Sequence, residues 1–448
     1  MDVDLNGEGL DLVGGPFAVI ESDPAVFTTL IRKLGIRGLE VTEIYDIEPW
    51  ATDHLKPRGL IFCYPFDDDE GIQNDPDGEL SLDPDAENIW YAYQLSNDTC
   101  ASQAVLNVVL NLTGVDMEGD LRRFSSETTK MDPIMRGLAV TNCTWIREAH
   151  NSLARPADIR GAKHTTTKYT LEYSKKQKAA ARKEASGPPA KRRKTARVGL
   201  PRRQSATDNL QDSYHFIGYV SRDGRVWELD SLHQGGPLEV GEISAEGGSW
   251  MDVVRPAIKR RMQNLISGDN ENIRFNLLAI VDDRYEKASD ELEMLKREKV
   301  QLERRLNEVY SDGWSDKVDT DLHDTASSVF QTMVQSQELG PTFAHDFASR
   351  KLEQNMSILE MPQRNLIPAW EKCIRAALTA KVVLDEELSG AIRAHTDHTQ
   401  RTFDYEPFIQ AFITKMHSEG LLEPILTGTK EDTSDKSTGK PIRKQKKR

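Results

Sequence analysis

Cysteine is scarce in this chain. Only Cys63, Cys100, Cys143 and Cys373 occur in 448 residues, and no two form a Cys-x-x-Cys pair. Count and spacing exclude a disulfide scaffold and a cysteine-rich zinc site, and they suit a reducing compartment. Long apolar runs are also missing. Nothing approaches the roughly twenty residues of a membrane-spanning helix, so no membrane partner is expected. The opening "MDVDLNGEGLDLVGG" is acidic and lacks an apolar core, so no secretory leader is expected. Hydrophobic residues make up 38% and charged residues 29%. That balance leaves part of the chain outside any packed core. The length suits two or three domains.

Positive charge is scarce overall but concentrated in one place. The formal net charge is −14, yet residues 155–203 carry 16 Lys plus Arg against 3 Asp plus Glu. That local excess of +13 leaves −27 on the rest. An acidic total argues against nucleic-acid partners, and the basic block reopens the question.

Folded pattern begins near residue 15. "FAVIES" reads as a short strand. "DPAVFTTLIRKLG" reads as a helix with Asp23 as cap, Pro24 at the first helical position and Gly35 after its end. "GLIFCYPF" is a buried strand by its apolar run. Residues 66–88 read as an acidic loop. Residues 155–211 contain "SGPPA" and "KRRK" and read as a disordered insertion. "HFIGYVSRDGRVWELDSL" is a hairpin around "RDGR", and "IRFNLLAIV" a further strand. Leu292, Leu295, Leu302, Leu306 and Val309 then mark a long amphipathic helix over 285–310. It either pairs as a coiled coil or packs on its own protein, with Lys299 at one seam position. Residues 311–362 read as a partly helical linker, 363–426 as a helical block and 427–448 as a basic disordered tail.

One short stretch bears on chemistry. In "QLSNDTCASQAVLNVVLN", polar residues precede Cys100, and Ala101, Ala104, Val105, Val108, Val109 and Leu112 follow at helical spacing. Cys100 is therefore placed in the first turn of a buried helix. There the backbone N–H groups favour a thiolate. The alternative is an ordinary small core residue. A thiol nucleophile needs a base, and the base an orienting acid. His215 opens the first hairpin strand and Asp230 closes the second, so the two ends can lie side by side. Gln94 offers a side-chain amide to a developing oxyanion. The other cysteines fit less well: Cys63 is mid-strand, Cys143 lacks a clear helix start and Cys373 lies on a helical stripe. His233 reads as a loop residue.

These stretches, with "GPFAVIESDPAVFTTLIRKLG", "VTEIYDI" and "IRFNLLAIVDDR", resemble the ubiquitin C-terminal hydrolase family of cysteine deubiquitinases. The resemblance spans about residues 15–284 apart from the basic insertion. It implies an α+β, papain-like fold with a central antiparallel sheet between helical layers, following a disordered 1–14. A long helix and a small helical C-terminal domain would follow. It implies Cys100 as nucleophile, His215 as general base, Asp230 as its orienting acid and Gln94 as oxyanion donor. No cofactor or metal is implied. The substrates would be ubiquitin and ubiquitinated proteins. The insertion takes the place of the family's crossover loop, whose length limits the adducts admitted.

"FDYEPFIQAFITKMHSEGLL" resembles the helical extension of the family's two larger branches. One branch is proteasome-associated. The other is nuclear and Calypso-like, acting on nucleosomal histone with an Asx-like partner. The tail "RKQKKR" is closer to the nuclear branch. It and "KRRK" read as import signals, as nucleosomal DNA contacts or as solvated charge runs. The expectation is a nuclear, chromatin-acting deubiquitinase. The alternatives are a proteasome-bound enzyme meeting a ubiquitin-receptor subunit, and an inactive ubiquitin-binding scaffold.

Overall fold

The computed structural model describes residues 15–66, 84–96, 98–185, 213–233, 235–266, 275–331 and 340–426. The expected N-terminal arm, most of the acidic loop, "SGPPA", "KRRK" and the C-terminal tail lie outside the described residues. The first part of the chain runs α1 (Pro24–Lys33), β1 (Ile36–Arg37), β2 (Leu39–Glu43), α2 (Pro49–Thr52), β3 (Gly59–Phe66), α3 (Cys100–Val109), β4 (Asp116–Met117), α4 (Gly119–Thr128), α5 (Pro133–Asn142), α6 (Thr144–Asn151) and α7 (Pro156–Ala185). It continues with β5 (Ser213–Arg222), β6 (Arg225–Asp230), β7 (Leu238–Glu242), α8 (Trp250–Ile266), β8 (Asn276–Asp282) and α9 (Arg284–Val309). The remainder is helical: α10 (Thr320–Thr325), α11 (Phe347–Glu360), α12 (Gln363–Thr402), α13 (Glu406–Ser418) and α14 (Leu422–Leu426).

Six strands form one antiparallel sheet in the order β2-β8-β3-β5-β6-β7. One face meets α1 and α3 through Phe27, Leu30, Val105 and Val108, together with Ile61, Phe216, Val220 and Leu229 from the sheet. The other meets α8 through Met251, Val254 and Ile258, against Phe62, Ile217, Tyr219 and Leu277. This is the expected α+β sandwich of a sheet between helical layers. Two glycines let α3 sit close. A Cβ on Gly59 would meet Val108 Cγ1 at 2.4 Å, and one on Gly218 would meet Val108 Cγ2 at 2.6 Å.

The α1 signals work as read. Asp23 accepts from the N–H groups of Ala25 and Val26 at 2.9 and 3.1 Å, and Gly35 takes φ +85° just beyond the end. "FAVIES" is not a strand. The Ala18 N–H donates to Asn151 Oδ1 (2.9 Å), Asn151 Nδ2 donates to the Pro16 carbonyl (3.0 Å), and the His150 ring bonds the Ala18 carbonyl (2.7 Å). Side chains of α6 take the backbone groups that a neighbouring strand would have taken.

The basic insertion also differs from expectation. Its first thirty residues, 156–185, are helix α7. Pro156 starts it, where a missing N–H costs nothing. Only one glycine, Gly161, interrupts a run rich in Ala, Lys, Gln and Glu. Charge density had masked a good helix-forming sequence.

The long helix α9 packs within its own chain. Cys373 Sγ lies 3.4 Å from the Leu295 carbonyl, Trp370 Nε1 donates to Glu303 (3.2 Å), and Arg284 pairs with Glu387 (3.2 Å). These pairings run in opposite senses along α9 and α12, so the two are antiparallel. Leu302, Leu306, Leu366, Trp370 and Ile374 are fully buried between them. Lys299, the polar seam residue, is answered by Glu303 (3.2 Å) and by the Phe330 ring. The helical block expected over 363–426 does not stay together. Residues 1–402 form one compact unit and 403–448 a second. The reason is that α12 continues its apolar stripe to Leu384 and Leu388 against the first unit's core.

Candidate active site

The hairpin β5–β6 turns through Asp223 and Gly224, with φ of +54° and +78°. A two-residue turn with both φ positive matches the twist of its strands. It fixes the register so that Ile217 faces Asp230. His215 is two residues from Ile217, so it lies diagonally across from Asp230 on the same face. The ring closes that diagonal: Nε2 donates to Asp230 Oδ1 at 2.7 Å. Asp230 also accepts from the Leu232 N–H at 2.9 Å. Burial pushes the Asp230 carboxyl up, but the His215 hydrogen bond and charge, the Leu232 N–H and more distant Arg261 outweigh it. The net shift is downward, so the group stays ionised. His215 is 3% exposed and sits edge-on to Tyr64, with ring centroids 5.9 Å apart. This surface leaves the imidazole little rotational freedom.

Cys100 is the first residue of α3. Thr99 precedes it but does not cap the helix, since its hydroxyl donates to the Ser96 carbonyl instead (2.9 Å). The thiol is half-buried, and the backbone N–H groups of Ala101 and Cys100 point to it. The expectation of a lowered pKa is not met. Burial pushes the thiol up to about 12, with Asp98 and Cys63 adding to the rise, and the two backbone groups only partly oppose it. Desolvation exceeds the helix-end effect here, so the resting group is a neutral thiol.

Gln94 is bound to the strand end beyond Asp230. Its N–H donates to the Ser231 carbonyl (2.8 Å), its Oε1 accepts from Ser231 Oγ (3.1 Å), and its Nε2 donates to the Ser96 carbonyl (3.3 Å). The structure therefore joins His215 to Asp230 directly and Gln94 to the same strand end. Segment 91–96 then leads from beneath Asp230, whose carbonyl accepts from the Tyr91 hydroxyl (2.5 Å), to the turn before Cys100.

That segment is held in a way the sequence did not announce. Asn111 Oδ1 accepts from the Trp90 N–H (2.8 Å), and its Nδ2 donates to the Trp90 carbonyl (2.8 Å). Asn107 Oδ1 accepts from the Ala92 N–H (2.9 Å), and Gln103 Nε2 donates to the Ala92 carbonyl (2.8 Å). Gln103, Asn107 and Asn111 are four residues apart, so they form one buried polar stripe along α3 and its end. From the other side, Arg136 donates to the carbonyls of Ile89 (3.2 Å) and Tyr91 (3.3 Å). Alternate carbonyls are thus claimed from opposite sides. The usable signal was an i, i+4, i+8 run of amides inside an otherwise apolar helix.

The remaining candidates fall elsewhere. Cys63 is buried in β3, with its thiol pushed up to about 12 by burial. Cys143 does stand at a helix start, as the residue before α6, contrary to the reading that none was clear. Cys373 is buried between α9 and α12. His233 lies beyond β6 with Nδ1 3.1 Å from the Gly236 carbonyl. Among the described residues, no group of three or more His, Cys, Asp or Glu is arranged to hold a metal ion.

Comparison with known proteins places this geometry. Residues 17–263 match the family described as ubiquitin carboxyl-terminal hydrolase, family 1. The ubiquitin carboxyl-terminal hydrolase isozyme L5 of Dictyostelium discoideum is 31% identical over 67% of this chain and 72% of its own length. The ubiquitin carboxyl-terminal hydrolase BAP1 of Xenopus tropicalis is 29% identical over 62% of this chain and 35% of its own. A crystal structure of the Trichinella spiralis UCH37 catalytic domain bound to ubiquitin vinyl methyl ester is 27% identical. It covers 60% of this chain and 96% of that one, with a TM-score of 0.42. With the family match extending over more than half of its length, this chain belongs to the ubiquitin carboxyl-terminal hydrolases, cysteine-type hydrolytic enzymes.

Proposed function

We propose that Cys100, His215, Asp230 and Gln94 form the reacting centre of a deubiquitinase that cleaves the bond after the C-terminal glycine of ubiquitin. The observation that carries this reading is the 2.7 Å His215–Asp230 hydrogen bond at the end of the sheet crossed by the segment leading to Cys100. A thiol with a pKa near 12 is a poor nucleophile by itself. Attack therefore requires His215 to take the thiol proton as the thiolate forms, while ionised Asp230 stabilises the imidazolium. The thiolate adds to the carbonyl carbon, and the Gln94 amide donates to the oxyanion. The imidazolium then protonates the leaving amine. Water, deprotonated by the same ring, releases the acyl group from sulfur.

Residues 15–284 serve as the catalytic domain, followed by the 285–310 helix, a 311–362 linker and the 363–426 extension. The enzyme is assigned to the nucleus, acting on ubiquitinated nucleosomal histone. The basic "KRRK" and "RKQKKR" segments support that reading by their charge. The second reading, trimming of chains at the proteasome, draws on the other end of the molecule. There α13 exposes Phe408, Ile409, Phe412 and Ile413, an apolar surface suited to a protein partner. An Asx-like protein or a proteasomal ubiquitin receptor would occupy it.

Reaction with a ubiquitin C-terminal electrophile tests the chemistry. A covalent adduct at Cys100 is expected, and Cys100→Ala is expected to abolish hydrolysis while retaining ubiquitin binding. A folded protein that forms no adduct, even with its partner supplied, would be the scaffold instead. Co-purification with chromatin or with proteasome subunits separates the two enzyme readings.

A further inference from the structure

Helix α7 organises charge that the sequence shows only as a run. Its first turns are anchored, since Ile159 and Ala162 pack against the core and Arg155 pairs with Glu21 (3.5 Å) and Asp158 (2.7 Å). From Lys163 to Lys178 most side chains are exposed. At 100° per residue, Lys163, His164, Lys168, Lys175 and Lys178 fall within about 140° of arc. Over these sixteen residues five lysines face one carboxylate, Glu172, which lies outside that arc and four residues before Lys176. Tyr169 and Tyr173 lie on the opposite side of the helix from the lysines. Lys163 and Lys178 stand about 22 Å apart along the axis.

From this arrangement we infer that the lysine face of α7 is a binding surface for double-stranded DNA, lying along the groove with its lysines on phosphates. Charge selects a polyanion, and about 22 Å of duplex presents roughly 13 negative charges. A helix of this width enters the major groove of B-form DNA, whereas the deep, narrow major groove of duplex RNA does not admit it. Single strands require aromatic platforms beside the cations, and the tyrosines face away. The surface deepens the chromatin reading by giving the crossover segment itself a grip on DNA, beside the substrate's route. It uses none of the residues assigned to catalysis.

The test uses the full chain and a fluorescein-labelled duplex of about 20 base pairs, with anisotropy read from 50 to 200 mM salt. The variant combines Lys163→Gln, Lys168→Gln, Lys175→Gln and Lys178→Gln, which keep helix propensity. Wild type is expected to bind with steep salt dependence. The variant is expected to bind at least tenfold more weakly at low salt. Its log–log slope should be shallower by about 0.9 for each phosphate that is no longer neutralised. Circular dichroism should show the helix retained, and release of a small fluorogenic amide from ubiquitin should be unchanged. Equal DNA affinity and slope in both proteins would overturn the inference. So would equal binding of single strands or duplex RNA, or loss of all DNA binding on neutralising "KRRK" and "RKQKKR" alone. Failure of the amide assay in wild type would sink the catalytic reading and leave the DNA result standing.

Discussion

Two regions meet at this site and are built by opposite means. The His215–Asp230 hairpin is held by strand-to-strand pairing, with its register set by a two-residue turn. The segment 89–94, which carries Gln94, is extended but lies in no sheet. It is held by Asn107, Asn111, Gln103 and Arg136, whose side chains take the place of neighbouring strands. Segment 16–18 is held in the same manner by His150 and Asn151. Backbone pairing tolerates most side-chain changes. Side-chain pairing makes a whole segment depend on a few residues.

Four measurements sharpen that contrast, beginning with the largest effect. Asp230→Asn should preserve the fold but lower kcat by on the order of 10²–10⁴, because the imidazole loses its anionic partner. Steady-state hydrolysis of a ubiquitin amide reads this. Gln94→Ala should lower kcat by about 10²–10³ with little change in KM. An equal loss in both parameters would make Gln94 a binding group instead.

The third concerns His150, which is fully buried between Ser102 Oγ (2.8 Å) and the Ala18 carbonyl. Burial pushes its pKa down from 6.5 to about 4, the Ala18 hydrogen bond opposing only in part. The unfolded chain therefore takes the proton first as pH falls. The stabilisation from a neutral His150 is full above 6.5 and is lost progressively down to about 4, up to about 3 kcal/mol. Denaturant unfolding across that window should show the slope, and His150→Gln should flatten it. Fourth and smallest, Asn107→Ala strands the Ala92 N–H and should cost about 1–3 kcal/mol. Its loss of kcat should exceed that of a surface Ala substitution on α4. Unchanged kcat would show that the amide stripe supports the fold without steering Gln94.

The same contrast explains what was legible in the sequence. The hairpin, α1 and β3 were readable because apolar periodicity, Asp-Gly turns and Asp-Pro starts are short-range signals. The candidate residues sat in those patterned stretches, so their positions could be read with them. "FAVIES" misled because an alternating segment says nothing about whether strands or side chains will satisfy its amides. The thiol misled because helix-end electrostatics can be read from neighbours in sequence, whereas burial depends on residues far away. Helix α7 misled because disorder was inferred from charge, although its residues are individually good helix formers.

The Asp223–Gly224 turn has a consequence for how this gene can change. Side chains alternate faces along a strand, so parity across the hairpin is arithmetic. One codon inserted between Arg222 and Arg225 would bring Leu229 or Ser231 to the place that Asp230 now holds opposite Ile217. Two codons would restore the parity but lengthen the reach. Length variation should therefore be purged here far more strictly than in the crossover segment, where no such counting rule applies. The tip of an exposed loop, ordinarily the freest place in a protein, is in this hairpin under the same selection as the reacting groups themselves.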